Sequence, residues 1–233
     1  MKILGVNAKS ILDSRKEKTI EVSIETNVGK FSASSPSGKS TGKYEVPCYK
    51  KSLQEDIDTL KKFSDYFSDE ILECFDDLRR VEDILQGHVG ANTFIALEYA
   101  VLKAIAKEKK KQIWQLINPK AKSFPRFVGN CVGGGAHTNN EKKPDFQEFL
   151  LIPNKKTVKE NSETNKKIQI EMEFKLTDKD PTFKKNRNDE NAWVTSLNEK
   201  EVLEGLYSFG TPLGMDIASS SFYKRKKYYY ENP

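Results

Sequence analysis

The apolar positions of the chain change period several times, and each change predicts an element. From Ile3 to Ser34 the pattern is that of strands. Ile20, Val22 and Ile24 alternate with Glu21, Ser23 and Glu25, which gives one apolar and one polar face. Asn27-Val28-Gly29 predicts a turn, and Lys30 to Ser34 a returning strand. Ser34 to Gly42 is too rich in serine, glycine and proline for either regular element. Ser52 to Phe63 and Glu70 to Leu85 then carry apolar residues at three- and four-residue spacing, the period of helices. Asn92 is placed to cap a longer helix running to Ile117, with Phe94, Ile95, Leu97, Val101, Leu102 and Ile105 on its core side. Asn118-Pro119 ends it.

Beyond a linker at Phe124-Pro125 the pattern alternates between strands and helices. Phe127 to Val132, Phe146 to Ile152 and Leu213 to Ile217 read as strands. Val158 to Leu176 has a weak helical pattern and Glu199 to Phe209 a short amphipathic one. The expectation is an α+β domain over residues 1–125 and a strand–helix domain over 126–233, with no repeat of fixed period.

Composition narrows the class. Charged residues make up 31% of the 233 and the hydrophobic set 36%, and apolar clusters recur, so the chain reads as globular and soluble rather than disordered. No apolar run approaches the roughly 20 residues of a membrane span, and the start, Met1 to Asn7, lacks the apolar stretch of a signal peptide. A cytoplasmic protein with no membrane partner is expected. The net charge of +5 is spread, with lysines beside acids as in Lys16-Glu17-Lys18, which argues against a nucleic-acid partner. Lys224 to Lys227 before Tyr228 to Tyr230 reads as a turn entering a strand. Cys48, Cys74 and Cys131 are odd in number and lack metal spacing, so reduced thiols are expected.

The chemistry lies in five segments. They are Asp13-Ser14-Arg15; Pro36 to Gly42 with Glu45; Gly90-Ala91-Asn92 opening a long helix; Gly133-Gly134-Gly135-Ala136-His137 running on to Gln147-Glu148-Phe149; and Asp189-Glu190 with Gly214-Met215-Asp216-Ile217-Ala218-Ser219-Ser220. In this order they resemble the amino-terminal half of enolase. The resemblance implies an α+β capping domain followed by the first part of an enolase-type α/β (TIM-like) barrel, incomplete in this chain. About three barrel strands are expected, because the residues after 125 are fewer than half of the about 250 that a closed barrel takes.

The reaction implied is dehydration of 2-phosphoglycerate to phosphoenolpyruvate in glycolysis, with Mg2+ as cofactor. Removing a proton beside a carboxylate builds up negative charge, which two magnesium ions offset while a carboxylic acid helps hydroxide leave. By resemblance Glu190 is the general acid, and Glu148 a second catalytic and substrate-binding carboxylate. His137 binds substrate beside the triglycine, Asp216 is a magnesium ligand at a strand end, and Ser40 is a loop serine reaching magnesium. His88 has no such context and reads as structural.

Three positions depart from the family pattern. Lys16-Glu17-Lys18 stands where glycine-asparagine-proline is usual, Asn191-Ala192 where two glycines follow the acid, and Ser221 where a glutamate is usual. The family's other metal carboxylates, its lysine base and its later phosphate-binding residues are expected beyond Pro233. The chain by itself is therefore expected to be inactive, and a second chain carrying the rest of the barrel is the expected partner; a homo-oligomer is also open. The alternative is a non-catalytic, truncated homologue serving as a binding module, or a gene fragment.

Overall fold

The computed structural model describes every residue except Asp69 and Pro233. The chain forms two compact units, one of residues 1–38 and 44–123, the other of residues 39–43 and 124–233.

The first unit opens with an antiparallel meander of β1 (Ile3–Leu12), β2 (Lys18–Thr26) and β3 (Gly29–Ser35). The alternation in β2 does what its period predicts. Ile20, Val22 and Ile24 are fully buried, and they face the core shared with the helices. Four helices follow: α1 (Leu53–Phe63), α2 (Leu78–Leu85), α3 (Ala91–Lys109) and the short α4 (Ile113–Ile117). Ser52 caps α1 by accepting from the Glu55 amide. Asp56 is fully buried on α1, and it accepts from Gly90 N at 2.8 Å, Thr93 Oγ1 at 2.7 Å and Lys50 N at 3.0 Å. That carboxylate pins the start of α3 to α1. Gly90 is required there, because a Cβ would stand 2.3 Å from Tyr49 Cα.

Four expectations for this unit are corrected. Residues 70–77 do not belong to α2: Ile71 bridges Lys2, and Asp77 Oδ2 accepts from Glu73 N and Cys74 N to form a separate turn. Gly90, not Asn92, is the N-cap of α3, and Asn92 lies buried within the helix, donating to Ser37 Oγ. Ile95 faces solvent at 42% exposure, while the other five residues assigned to the core side are buried or pack against the core. The long helix also breaks at Lys110, whose left-handed backbone (φ 52) separates α3 from α4.

The second unit is built on β4 (Gly129–Gly133), β5 (Glu148–Leu151), α5 (Val158–Lys179), β6 (Trp193–Val194), α6 (Glu199–Tyr207) and β7 (Leu213–Asp216). The sheet order is β6-β4-β5-β7. β4–β5 and β5–β7 are antiparallel and β4–β6 is parallel. Val132, Phe149 and Leu151 pack on Ile168, Met172 and Leu176 of α5 and on Val202 and Leu206 of α6. A hairpin of β8 (Tyr223–Lys224) and β9 (Lys227–Tyr228) follows, with Arg225 and Lys226 in left-handed conformations at its tip. The basic run before the tyrosines is thus a hairpin turn.

Asp180, 2% exposed just after α5, gathers this unit's loops. Its carboxylate accepts from Thr195 Oγ1 at 2.6 Å, Ser196 N at 2.8 Å, Ser196 Oγ at 2.7 Å and Thr182 Oγ1 at 2.7 Å. Burial disfavours its charge, but these bonds outweigh that and hold the carboxyl well below the usual carboxylate range.

Candidate active site

The triglycine after β4 lets the backbone turn where no side chain fits. A Cβ on Gly134 would lie 2.4 Å from Phe146 O and 2.5 Å from Pro144 O, and Gly135 has φ +46. Gly134 N donates to Gln147 O and Gly135 N to Pro144 O, which locks this turn against the approach to β5. The chain then makes one 3-10 turn, Gly135–His137, and His137 is left 6% exposed.

Glu148 opens β5. Phe149 and Leu151 take the core face, so alternation sends Glu148 to the other face, where it is half-buried. Its backbone lies between Gly133 on β4 and Asp216 on β7.

Glu190 sits on a tight turn between α5 and β6. Asn188 Oδ1 accepts from Glu190 N at 3.0 Å and from Ala192 N at 2.9 Å, and Asn188 N donates to Ala192 O. Asn191 takes φ +64 here. Asparagine tolerates that left-handed region better than most residues, so the turn survives without the family's glycine. Lys16 does the same in the first unit, with φ 64 where a glycine is usual.

These three segments converge on one ring nitrogen. His137 Nδ1 lies 3.0 Å from Glu190 Oε2 and 3.4 Å from Glu148 Oε1. The ligand atoms of the three residues lie within 4.8 Å of one another, a spacing that a divalent ion can bridge. Burial, followed by the negative charge of Glu190, pushes the Glu148 carboxyl up; His137 opposes this and Asp216 adds to it. The arrangement brings two carboxylates and an imidazole within hydrogen-bonding reach of one another.

The remaining expected residues lie outside that cluster. Asp216 is exposed at the end of β7, where Oδ1 accepts from Ala218 N at 3.1 Å and Oδ2 from Gln147 Nε2 at 3.4 Å. Ser40 is exposed in a bend. Its neighbour Lys39 makes an ion pair with Asp189 at 2.8 Å, beside Glu190. Asp189 thus faces a cation.

Two side chains that hold Glu190 escape a reading by sequence. Asn130 Nδ2 donates to Glu190 Oε2 at 3.0 Å, and Asn188 shapes the Glu190 turn. The signals were present: a lone amide inside an apolar strand, and an asparagine two residues before a carboxylate, where it can form an Asx turn.

Comparison with known proteins relates the chain to the enolases. The "Enolase, N-terminal domain" family matches residues 3–117. The chain is a relative of the enolases. The enolase of Methanosphaera stadtmanae is 31% identical over 98% of the chain and 60% of its own length. That of Methanothermobacter thermautotrophicus is 32% identical over 87% of the chain and 50% of its own length, and that of Ehrlichia ruminantium strain Welgevonden 31% over 100% and 61%. The chain thus spans 50% to 61% of the length of these enolases. The α+β first domain and the beginnings of a barrel are both in keeping with that family.

Proposed function

We propose that this chain is the amino-terminal part of a two-chain enolase, dehydrating 2-phosphoglycerate to phosphoenolpyruvate when a second chain supplies the rest of the barrel. The observation that carries this reading is the convergence of His137, Glu148 and Glu190, from three separate segments, on one imidazole nitrogen. Such a cluster can hold a proton near a leaving hydroxide and pass it on. Burial and the charge of Glu190 raise the Glu148 carboxyl and so favour its protonated form, and the short contacts to His137 and Asn130 hold Glu190 in one orientation. In this reading Glu190 donates to the leaving oxygen, Glu148 resupplies it and orients the substrate, and His137 steadies both carboxylates and the substrate.

Asp216 and Ser40 are the residues assigned to Mg2+. An exposed carboxylate at a strand end has the hard oxygen chemistry that the ion prefers. Bound magnesium supplies positive charge against negative charge developing on a substrate carboxylate. Asp216 belongs to no cluster of three ligating side chains among the described residues, and in this reading the family's further metal carboxylates come from the second chain. The family's proton-abstracting lysine is assigned to that chain as well.

The test uses the part of the Methanosphaera stadtmanae enolase that follows the matched region, expressed as a separate chain. The mixture should convert 2-phosphoglycerate in the presence of magnesium, and neither chain should do so alone. Glu190→Gln should lower the rate at least about 100-fold, the scale of general acid catalysis, and Asp216→Asn should raise the magnesium requirement. An inert mixture in which both chains are folded and associated would favour a non-catalytic binding module. Turnover by the isolated chain would mean that a residue within it replaces the lysine.

A further inference from the structure

Lys39 belongs to the loop of Ser40, residues 39–43, which forms part of the second unit. Its ammonium donates to Asp189 Oδ2 at 2.8 Å, on the turn that carries Glu190. The two side chains keep 34% and 32% of their surface in water. An ion pair this exposed is screened by solvent and holds the fold only weakly, so an arriving anion can displace Asp189 at little cost.

The pair borders a cavity of about 420 Å3 that His137 also lines, which sets it beside the carboxylate–imidazole cluster. Arg187 supplies a second cation to the lining. Its guanidinium lies 4.0 Å from the centre of the Trp193 ring and donates to Asn191 Oδ1 at 2.9 Å. Those contacts fix its plane, and the one bond leaves most of its N–H donors for a ligand. Four asparagines add amide donors to the wall, and one of these amides, Asn188 Nδ2, is buried with no acceptor. Asp189 is the one carboxylate among the described residues of the lining. Once it turns away, Lys39 and Arg187 present two positive charges among neutral donors. That balance matches a phosphomonoester dianion. A neutral sugar would leave both charges unmet, and both would repel a metal ion.

We propose that Lys39 and Arg187 bind the phosphate group of the substrate, and that Asp189 holds Lys39 until the phosphate replaces it. The inference rests on the 2-phosphoglycerate reading above and deepens it. It gives phosphate recognition to two side chains of this chain, in addition to the residues expected beyond Pro233. The planar guanidinium fork fits two phosphate oxygens at once. The ammonium stands on a flexible stem and can swing from carboxylate to phosphate while its backbone stays in place. A dianion also attracts it more strongly than a single carboxylate does, which drives the exchange.

Titration of the whole chain with 2-phosphoglycerate and with inorganic phosphate, followed by phosphorus NMR, tests this. Lys39→Met should weaken both ligands at least about tenfold, the scale of one hydrogen bond to a charged group. Asp189→Asn should tighten both by about two- to fivefold, the worth of the exposed ion pair that it removes. Glycerate, which lacks the phosphate, should be indifferent to both changes. The opposite signs separate a phosphate site from a merely structural ion pair, whose loss would move affinity the same way in both variants. Weakened binding in both variants, no binding by the unaltered chain, or glycerate weakened as much as 2-phosphoglycerate by Lys39→Met would overturn the assignment. Turnover by the two-chain mixture with a KM that Lys39→Met leaves unchanged would overturn the phosphate site and leave the two-chain reading standing. Opposite signs in the titrations beside an inert mixture of associated chains would overturn the two-chain reading and support the phosphate site.

Discussion

In the first unit Glu98 on α3 shares a hydrogen bond with Glu82 on α2, and burial, then that bond and the charge of Glu82, push Glu98 up to about 7. In the second unit Glu148 is also raised, first by burial and then by Glu190. Here the pair has an imidazole 3.0 and 3.4 Å away, an amide on Glu190 from Asn130, and a glycine turn that brings the backbone close. A perturbed carboxyl pair is therefore common to both units, and perturbation alone does not mark a site. What sets the second pair apart is a third group able to exchange a proton with it, delivered by a different segment of chain.

The sharpest way to test that contrast is to ask whether each unit stands on its own polar anchor. Asp56 ties the first unit and Asp180 the second, each through several hydrogen bonds at 2% exposure or less. Asp56→Ala and Asp180→Ala should each cost about 3 kcal/mol, because each leaves several buried donors unpaired. The loss should be confined to the unit that carries the change, as read by amide exchange. Asp180 has a depressed folded-state carboxyl, so its contribution is full above the ordinary carboxylate pKa and fades only as pH falls through the lower folded value. Equal loss of protection in both units from either change would break the separation.

The carboxyl pairs come next. A raised carboxyl stabilises the fold while protonated, and that stability declines as pH rises from the unfolded value through the folded one. Glu98→Gln should therefore stabilise the first unit at pH 8 by on the order of 1 kcal/mol once solvent screening is allowed for, and have little effect near pH 4. Glu148→Gln should act in the same direction on the second unit but less, because His137 already offsets part of the repulsion. Denaturant melts at the two pH values check both. A Glu148→Gln effect larger than that of Glu98→Gln would mean that the imidazole does not moderate its pair.

The smallest effects concern the two left-handed turns. Lys16 and Asn191 each hold φ 64 where related chains are expected to use glycine. Lys16→Gly should stabilise by about 0.5–1 kcal/mol and Asn191→Gly by less, since asparagine tolerates that conformation better than lysine. Thermal melts of the two variants are sufficient to check this.

The same contrast explains which features could be read from sequence. The alternation in β2 and the apolar stripe of α3 were legible because burial on one face writes a period into the chain. Ile95 fits that period yet faces solvent, since the stripe is wider than the contact made. The start of α2 was misplaced because Ile71 is held by a long-range bridge to Lys2, which local spacing cannot signal. α5 gave a weak pattern because Ile168, Met172 and Leu176 form a single narrow row on a mostly polar helix. At the site, the family segments pointed to His137, Glu148, Glu190, Asp216 and Ser40. The roles of Asn130 and Asn188 depend on contacts 60 and 2 residues away, and only the second leaves a local mark.

The central claim is that one catalytic centre is divided between two chains. Continuous variation measures it most directly: total protein is held constant while the ratio of this chain to the carboxy-terminal enolase segment is varied, and 2-phosphoglycerate dehydration is followed in magnesium. The account predicts no rate at either end and a maximum at equimolar ratio. A rate that rises steadily toward either pure chain, or none at any ratio although the two chains associate, would contradict it.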